Sequence, residues 1–265
     1  MARPTAAFFD LDKTIIAKSS TMAFSRPFQA GGLITRGAML RSAYTQFVYV
    51  VGGADHDQME KMRQFMSELC AGWDVQTVRE IVADTLHNIV DPLVYEEAVS
   101  LIEEHHAAGR DVIIVSTSGS EVVEPIGEML GADHVVATRM AVEDGRYTGE
   151  IRFYAYAANK AKAVTDLARK RGYDLTGSYA YSDSVTDVSM LEAVGHPHAV
   201  NPDKELRKIA RERGWPVLVF EKPVALQSRM RLPPTKPTLA ILAVSGAVAV
   251  GGAIWANARR RSDSA

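Results

Sequence analysis

The feature of this sequence that most constrains its fold is an alternation of short apolar runs with amphipathic segments that end at glycine. Apolar runs that stop at polar residues predict buried strands at 5–9, 111–115, 134–138, 178–181, 198–200 and 216–220. The intervening segments predict helices at 95–108, 121–130, 160–171, 186–194 and 203–213, each followed directly by glycine. Strands that alternate with helices predict βαβ units, and therefore an α/β fold with a Rossmann-like parallel sheet.

One long segment interrupts the alternation. Residues 15–90 contain no clear strand pattern, and their Met- and Leu-containing stretches favour helices. Asp91-Pro92 is typical of a turn and marks the return to the sheet. We therefore predict a core made of residues 1–14 and 91–221, with a helical insert at 15–90 and a separate segment at 222–265.

Charge is distributed unevenly along the chain. The whole chain has 30 basic and 32 acidic residues, a net charge of −2, which gives no reason to propose a nucleic-acid partner. Residues 222–265 contain seven basic residues and one acid, so this tail has a net charge of +6 and the remainder −8. A basic tail on an acidic body favours contact with a negatively charged surface, such as a membrane.

The tail contains 21 consecutive uncharged residues, Thr238–Ala258. A membrane-spanning helix needs about 20 apolar residues, and Trp255 with Arg259–Arg261 resembles an interfacial anchor. We therefore predict a C-terminal hydrophobic transmembrane helix; the alternative is an Ala-rich core helix, although the segment has no polar face. Because the first apolar run, Ala6–Phe9, is too short for a signal peptide, we expect a cytoplasmic body anchored to the cell membrane by this single segment.

Acidic residues follow two of the predicted strands where each strand ends. Asp10 and Asp12 follow the first strand, and Asp183 with Asp187 follows the strand at 178–181. Ligands bind at the carboxyl ends of strands in open parallel sheets, so we expect a site at this edge. Carboxylates as close as Asp10 and Asp12 repel each other unless a cation lies beside them, and Mg²⁺ is the simplest cation that meets this need. The alternatives are a solvated Asp-x-Asp turn and, for Asp183, a helix cap.

A hydroxyl and a lysine complete the predicted site. Ser116 ends the second predicted strand, and we expect its hydroxyl and the backbone N–H groups of Thr117 and Ser118, at the start of the next helix, to bind an anion. Lys160 opens a predicted helix and could neutralise a bound phosphate, but spacing alone does not exclude Lys162. As alternatives, Ser116 could be only an N-cap, and either lysine could be an exposed surface residue.

These motifs, in this order, resemble the four motifs of the haloacid dehalogenase superfamily. The motifs are Asp10-Leu11-Asp12-Lys13-Thr14, Ser116 after a hydrophobic strand, Lys160, and Asp183-x-x-x-Asp187. The helical insert after the first motif resembles the C1 cap of the phosphoserine-phosphatase-like branch, subfamily IB. Residues 178–201 are especially similar to that branch. The resemblance spans about residues 5–220 and leaves the tail outside it.

The resemblance implies a role for each residue of the site. Asp10 would be the nucleophile that forms an aspartyl-phosphate, and Asp12 would be the general acid and then the general base. Mg²⁺ would be held by the Asp10 carboxylate, the Asp12 backbone carbonyl and Asp183, with Asp187 in support. The residues that bind the phosphoryl oxygens would be Ser116, Thr117 and Lys160.

The activity implied by the resemblance is Mg²⁺-dependent hydrolysis of a phosphomonoester, and the tail adds a membrane-associated or lipid phosphate as an expected substrate class.

Three positions depart from the family pattern. Ser182 stands where many relatives have Gly, Thr117-Ser118 where phosphoserine phosphatases have Gly-Gly, and Ser19 where they place the Glu that binds the substrate amine. The alternatives are a phosphatase of phosphoserine or another small metabolite, and a non-catalytic phospho-acceptor or phospho-ligand regulatory protein.

Other residues with reactive side chains are less informative. The single cysteine, Cys70, excludes a disulfide framework and a zinc site with several Cys ligands. His105-His106 is a poor metal pair because adjacent helical side chains point in different directions. We predict surface or loop positions for this pair and for His196-Pro197-His198. The sequence leaves the oligomeric state open.

Overall fold

Seven strands form one sheet within the part of the chain that the computed structural model describes, which is residues 3–34, 63–64, 67–221 and 223. The strands are β1 (Ala6–Phe9), β2 (Asp111–Gly119), β3 (His134–Glu143), β4 (Arg146–Phe153), β5 (Tyr179–Ser182), β6 (His196–Val200) and β7 (Val217–Leu218). Their order across the sheet is β4-β3-β2-β1-β5-β6-β7, and neighbours are parallel except for the antiparallel pair β3 and β4. The predicted α/β class with a mostly parallel sheet is therefore confirmed.

Helices connect these strands. They are α1 (Ser20–Ala30), α2 (Val75–Val90), α3 (Glu96–Ala107), α4 (Ser120–Met129), α5 (Ala158–Arg171), α6 (Val188–Glu192) and α7 (Lys204–Arg213). Short 3-10 turns lie at Asp91–Leu93, Leu175–Gly177 and Val185–Asp187. Four of the five predicted helices agree with the structure to within two residues at each end. The helix predicted at 186–194 is instead the third of these turns followed by the short α6.

All the side chains of β1 are buried because this strand lies in the middle of the sheet, with three strands on each side. Phe8 lies in the apolar cluster on one face of the sheet, and Phe9 lies in the cluster on the other. Successive side chains of a strand point to opposite faces, so an entirely apolar strand needs helices on both. Ile102 of α3 packs in the cluster of Phe9, and Val164 of α5 packs in the cluster of Phe8. This two-sided burial leaves the strand ends as the place where polar groups can gather.

Two helices of the predicted insert are described, α1 and α2, and both lie in the chain between β1 and β2. The buried residues of α2 recur every three or four positions and belong to the same apolar cluster as Phe9. Just before α2, the N–H of Gly72 donates to the Tyr147 carbonyl at 2.8 Å, and the N–H of Tyr147 donates to the Trp73 carbonyl at 3.0 Å. These bonds tie the insert to β4. The assignment of 15–90 as a separate cap stays a prediction, and residues 35–62 lie outside the described part.

Of the predicted tail at 222–265, only residue 223 belongs to the described part of the chain. The rest of the basic linker and the hydrophobic segment at 238–258 lie outside it. Among the helices that the structure describes, none has both the length and the apolar composition needed to cross a membrane. The transmembrane helix at 238–258 therefore stays a prediction.

His105 is buried, so the predicted surface or loop position is wrong for this residue. Arg110 Nε donates to His105 Nδ1 at 2.7 Å, and His105 Nε2 lies 2.9 Å from the Tyr181 hydroxyl. Because Arg110 needs an unprotonated Nδ1 as acceptor, Nε2 carries the ring proton and donates it to Tyr181. The adjacent His106 is exposed, since neighbouring helical residues point in different directions. Only the position of α3 against the sheet decides which of the two is inside.

Stability should depend on the protonation of His105 at acidic pH. Burial, with a smaller effect from Arg110, lowers the pKa of His105 to about 4, whereas an unfolded histidine titrates near 6.5. Between those pH values the unfolded chain takes up a proton that the folded chain resists, so stability falls as the pH drops. We expect the stability advantage of wild type over His105→Gln to shrink by about 1 to 2 kcal/mol from pH 7 to pH 4.5. Urea unfolding of both proteins measures this, and a constant difference would contradict it.

Candidate active site

Three strands deliver polar residues to one edge of the sheet. Asp10 follows β1, Asp183 follows β5, and Ser116 lies near the end of β2; β1 is hydrogen-bonded to both other strands. The three side chains are buried. The backbone N–H of Asp10 donates to the Tyr181 carbonyl at 2.9 Å, so the ladder between β1 and β5 continues up to the first acid. The site therefore lies where open parallel sheets bind ligands.

Lys160 is buried between two carboxylates. Its Nζ lies 2.6 Å from Asp10 Oδ1 and 2.8 Å from Asp187 Oδ2. Burial alone would lower the pKa of Lys160, but the two carboxylates outweigh burial and raise it, so the amine stays protonated. Lys162 instead lies on the exposed side of α5, where its Nζ is 2.7 Å from Asp166. The geometry thus selects Lys160, which spacing could not do.

Asp187 is held by Ser182 as well as by the lysine. Ser182 Oγ donates to Asp187 Oδ2 at 2.7 Å, and the backbone N–H of Ser184 donates to Ser182 Oγ at 3.2 Å. A glycine at position 182 could form neither bond. In the sequence, Ser182 is only a departure from the Gly that many relatives have at this position. The signal that could have revealed its role is a hydroxyl at the end of a strand and five residues before an acid.

Asp12 lies in a different environment from Asp10, although only one residue separates them. Asp12 Oδ1 accepts the backbone N–H of Ser20 at 2.9 Å, and Oδ2 accepts the hydroxyl of Ser118 at 3.3 Å. The hydroxyl oxygens of Ser20 and Ser118 are 2.8 Å apart. Burial raises the pKa of Asp12, and the bonds from Ser20 oppose this rise. Both serines were missed as contacts of Asp12, because Ser20 lies in the insert and Ser118 lies in the irregular end of β2.

Burial also raises the pKa of Asp10, well above its ordinary value. The ammonium group of Lys160 opposes this rise, whereas the charges of Asp187, Asp183 and Asp12 add to it. The site thus holds more negative than positive charge. A cation bound beside Asp10 would relieve this imbalance.

The residues around Asp183 fit a hard divalent cation. Burial raises the pKa of Asp183 to about 7, Lys13 opposes this, and Asp187 adds to it. Among the described residues, no hydrogen-bond donor reaches the Asp183 carboxylate, and Asp187 Oδ1 is buried without a partner. The described part of the chain has no cluster of three or more acidic, His or Cys side chains arranged to hold a metal ion. Mg²⁺ needs fewer, since it is often bound by one or two carboxylates and keeps several waters.

The end of β2 contains an irregularity that was not predicted. Ser116 pairs with Ala137 and Gly119 pairs with Thr138, so two residues of β2 have no counterpart in β3. Thr117 and Ser118 therefore lie in β2, and their predicted position at the start of the next helix is wrong. Helix α4 begins at Ser120, one residue before the predicted start at 121. Ser116 Oγ accepts the backbone N–H of Ser118 at 3.2 Å, which leaves the hydroxyl hydrogen of Ser116 available to a ligand. Bulges of this kind redirect side chains next to active sites.

Thr117 does not offer its hydroxyl to this site. Thr117 Oγ1 donates to the backbone carbonyl of Ala155 at 2.9 Å. The bulge turns this side chain toward the loop between β4 and α5. The predicted contact of phosphate with Thr117 uses its backbone N–H group, not this hydroxyl, and stays a prediction.

Removal of the buried lysine should destabilise the fold, whereas removal of its exposed neighbour should not. Lys160→Met leaves the carboxylates of Asp10 and Asp187 buried without a cation, and we expect a loss of roughly 3 kcal/mol in the free energy of unfolding. Lys162→Met is the matched control, and it should leave the free energy of unfolding nearly unchanged because its ion pair is exposed. Chemical denaturation measures both variants. Equal losses in the two would contradict the assignment of the buried lysine.

Comparison with known proteins identifies one family and several similar chains. The family model described as haloacid dehalogenase-like hydrolase matches residues 7–192, which include every residue of the site. Among curated proteins, an inhibition of morphological differentiation protein of Streptomyces azureus is 62% identical, over 98% of this chain and 96% of the relative. A probable phosphatase of Mycobacterium tuberculosis is 57% identical, over 97% of this chain and 90% of the relative.

More distant matches also cover most of the chain. A phosphoserine phosphatase of Mycobacterium tuberculosis is 30% identical, over 97% of this chain and 80% of the relative. Among solved structures, a Bordetella pertussis protein of unknown function superimposes with a TM-score of 0.72 and 31% identity, over 82% of this chain and 99% of that chain. The similarity therefore extends across the sheet, the site and the described helices of the insert.

Proposed function

The chain belongs to the haloacid dehalogenase-like hydrolase family, and from that premise we propose that it is a Mg²⁺-dependent phosphomonoester hydrolase that acts through an aspartyl-phosphate at Asp10. The observation that carries the proposal is the contrast between the two acids after β1. Asp10 is paired with the Lys160 ammonium, whereas Asp12 is held by Ser20 and Ser118 without an ion pair. Two carboxyl groups in such different surroundings can divide the roles of nucleophile and proton donor.

The proposed reaction has two steps that use the same pair of acids. In the first, a carboxylate oxygen of Asp10 attacks phosphorus, the bond to the leaving oxygen breaks, and Asp12 gives that oxygen a proton. In the second, water attacks the phosphorus of the aspartyl-phosphate while Asp12 takes a proton from the water. The bond to Asp10 then breaks, which releases inorganic phosphate and restores both carboxyl groups.

Charge stabilisation would come from residues that the site already holds close together. Phosphoryl transfer depends mainly on in-line positioning and on neutralisation of the phosphoryl oxygens. The Lys160 ammonium lies beside the proposed nucleophile, and the hydroxyl hydrogen of Ser116 is available as a donor. Asp187 and Ser182 would hold the lysine in place.

Mg²⁺ would be bound by the carboxylates of Asp10 and Asp183 and by the backbone carbonyl of Asp12, with Asp187 in support. The metal would neutralise negative charge on the phosphoryl group and on the acids around it. The buried Asp183 carboxylate, which accepts no hydrogen bond from the described residues, supports this assignment. The excess of acids over cations around Asp10 supports it as well.

The substrate class follows less directly from the residues. A 30% identical relative is named a phosphoserine phosphatase, but Ser19 stands here where that activity would need an acid for the substrate amine. The basic and hydrophobic tail at 222–265 favours a membrane-associated or lipid phosphate. A non-catalytic phospho-ligand protein is the second candidate, and measurable turnover would exclude it. A screen of soluble and lipid phosphomonoesters, with Mg²⁺ and with EDTA, separates these alternatives.

Asp10→Asn should abolish the covalent step while the fold is kept, because the two side chains are nearly the same size. We expect turnover to fall by roughly 10³-fold or more. Asp166→Asn is the matched control, since Asp166 is an acid on the exposed side of α5, and it should keep full activity. Hydrolysis of p-nitrophenyl phosphate measures both variants. Turnover by Asp10→Asn close to that of wild type would end the proposed mechanism.

Asp12→Asn should slow the reaction in a way that depends on the leaving group. An alkyl alkoxide needs a proton as it leaves, whereas p-nitrophenolate leaves readily without one. We therefore expect a much larger loss of kcat for an alkyl phosphate than for p-nitrophenyl phosphate. Ser25→Ala, a change of an exposed hydroxyl on α1, is the control and should slow neither substrate. If Asp12→Asn slows both substrates equally, Asp12 is not the general acid.

A further inference from the structure

We infer that Thr138 is a positioning residue that fixes Lys160 in the active site through the loop between β4 and α5. This inference rests on the proposed function for the role of Lys160 in turnover. Thr138 lies on β3, and its hydroxyl forms no hydrogen bond with Lys160 or with either acid after β1. Its hydroxyl group instead joins two backbone segments, one from the bulge of β2 and one from the loop that precedes α5.

The loop that precedes α5 contains a strained backbone position. Ala157 has φ 48° and ψ −123°, which are the angles of the first central residue of a type II′ turn. The hydrogen bond of that turn is present, because the N–H of Asn159 donates to the Tyr156 carbonyl at 3.0 Å. Glycine is the residue that usually occupies this position, since a Cβ atom disfavours positive φ. The chain has alanine there, so the conformation must be held by its surroundings.

The strained residue leads directly into the helix that carries the lysine. The N–H of Lys160 donates to the Ala157 carbonyl at 2.9 Å, and the side chain of Asn159 donates to the Tyr154 carbonyl at 3.0 Å. A change in the backbone at Ala157 would therefore rotate or shift the first turn of α5. The Nζ of Lys160, only 2.6 Å from Asp10, would move with it.

Two threonine hydroxyls hold the buried start of this loop. Thr138 Oγ1 donates to the Thr117 carbonyl at 2.6 Å and accepts the N–H of Ala155 at 3.2 Å. Thr117 Oγ1 donates to the Ala155 carbonyl at 2.9 Å. Both backbone polar groups of Ala155 are thus paired with threonine side chains from neighbouring strands. We name this set of three residues, Thr117, Thr138 and Ala155, the threonine latch.

The experiment is a double-mutant cycle between the latch and the strained position. Thr138→Val keeps the shape of the side chain but removes its hydroxyl, so the loop should relax and kcat should fall roughly 10- to 100-fold. Ala157→Gly lets the backbone adopt the turn without strain and should leave kcat close to wild type. In the double variant, glycine holds the turn without the latch, and we expect most of the lost kcat to return. Thr138→Ser should be active because it keeps the hydroxyl.

A second measurement reads the position of Lys160 without any assay of turnover. Reductive methylation followed by mass spectrometry should modify Lys160 slowly in wild type, faster in Thr138→Val, and slowly again in the double variant. This readout remains valid if Asp10→Asn proves active, so failure of the proposed function and failure of the latch can be told apart. Thr148→Val, on β4, is the matched control and should change neither kcat nor methylation.

Three results would overturn the inference. The first is that Thr138→Val keeps the kcat and the slow methylation of wild type. The second is that Thr138→Val lowers kcat and speeds methylation, but neither value recovers in the double variant; Thr138 then only satisfies buried backbone groups. If Thr138→Val does not fold, Thr117→Val breaks the other side of the latch, and the same recovery by Ala157→Gly is expected. The absence of recovery in that pair would overturn the inference as well.

Discussion

The ion pair of Lys160 with Asp10 and Asp187 is the interaction on which the rest of the site depends. The Lys160 ammonium, on α5, lies within 2.8 Å of a carboxylate oxygen of Asp10, at the end of β1, and of Asp187, in the turn before α6. All three side chains are buried. Each would be strongly destabilising alone, because a buried charge loses its hydration. Two acids around one lysine, with Asp183 also nearby, leave an excess of negative charge. Burial is the main cause of the raised pKa of Asp10, and the charges of the neighbouring acids add to it. The same excess of negative charge makes the site suitable for Mg²⁺.

The second constraint is the separation of Asp10 from Asp12. One strand end delivers both acids, yet their partners come from different parts of the chain: an ammonium group for the first, and serines from α1 and from the bulge of β2 for the second. Ser20 is the first residue of α1, the first described helix of the insert. Asp12, the proposed proton donor, is therefore hydrogen-bonded to the insert, which would surround a substrate. The insert and the chemistry of the sheet edge are therefore linked by direct hydrogen bonds.

The irregular backbone near the site is explained by hydrogen bonds between side chains and main chain. The bulge of β2 frees Thr117 from the regular ladder, and its hydroxyl then reaches the loop before α5. Thr138 completes the connection from the neighbouring strand. In this arrangement a position that favours glycine, Ala157, can hold alanine. The strained residue Ala157 thus lies three residues before Lys160, the charged residue whose position the hydrogen bonds of the two threonines fix.

The sequence by itself determined the α/β fold, six of the seven described strands, most helix ends and the acids at the sheet edge, because buried parallel strands are continuously apolar and stop where polar residues begin. The antiparallel strand β4 was not among the predicted apolar runs. Tertiary structure decided between Lys160 and Lys162, because two residues along a helix turn the side chain by about 200° and only the sheet tells which side is inside. It also decided that His105 is buried and that Ser116 is followed by a bulge. Ser-Thr-Ser-Gly reads equally well as a helix cap or as an irregular strand end, and only the pairing with β3 distinguishes them.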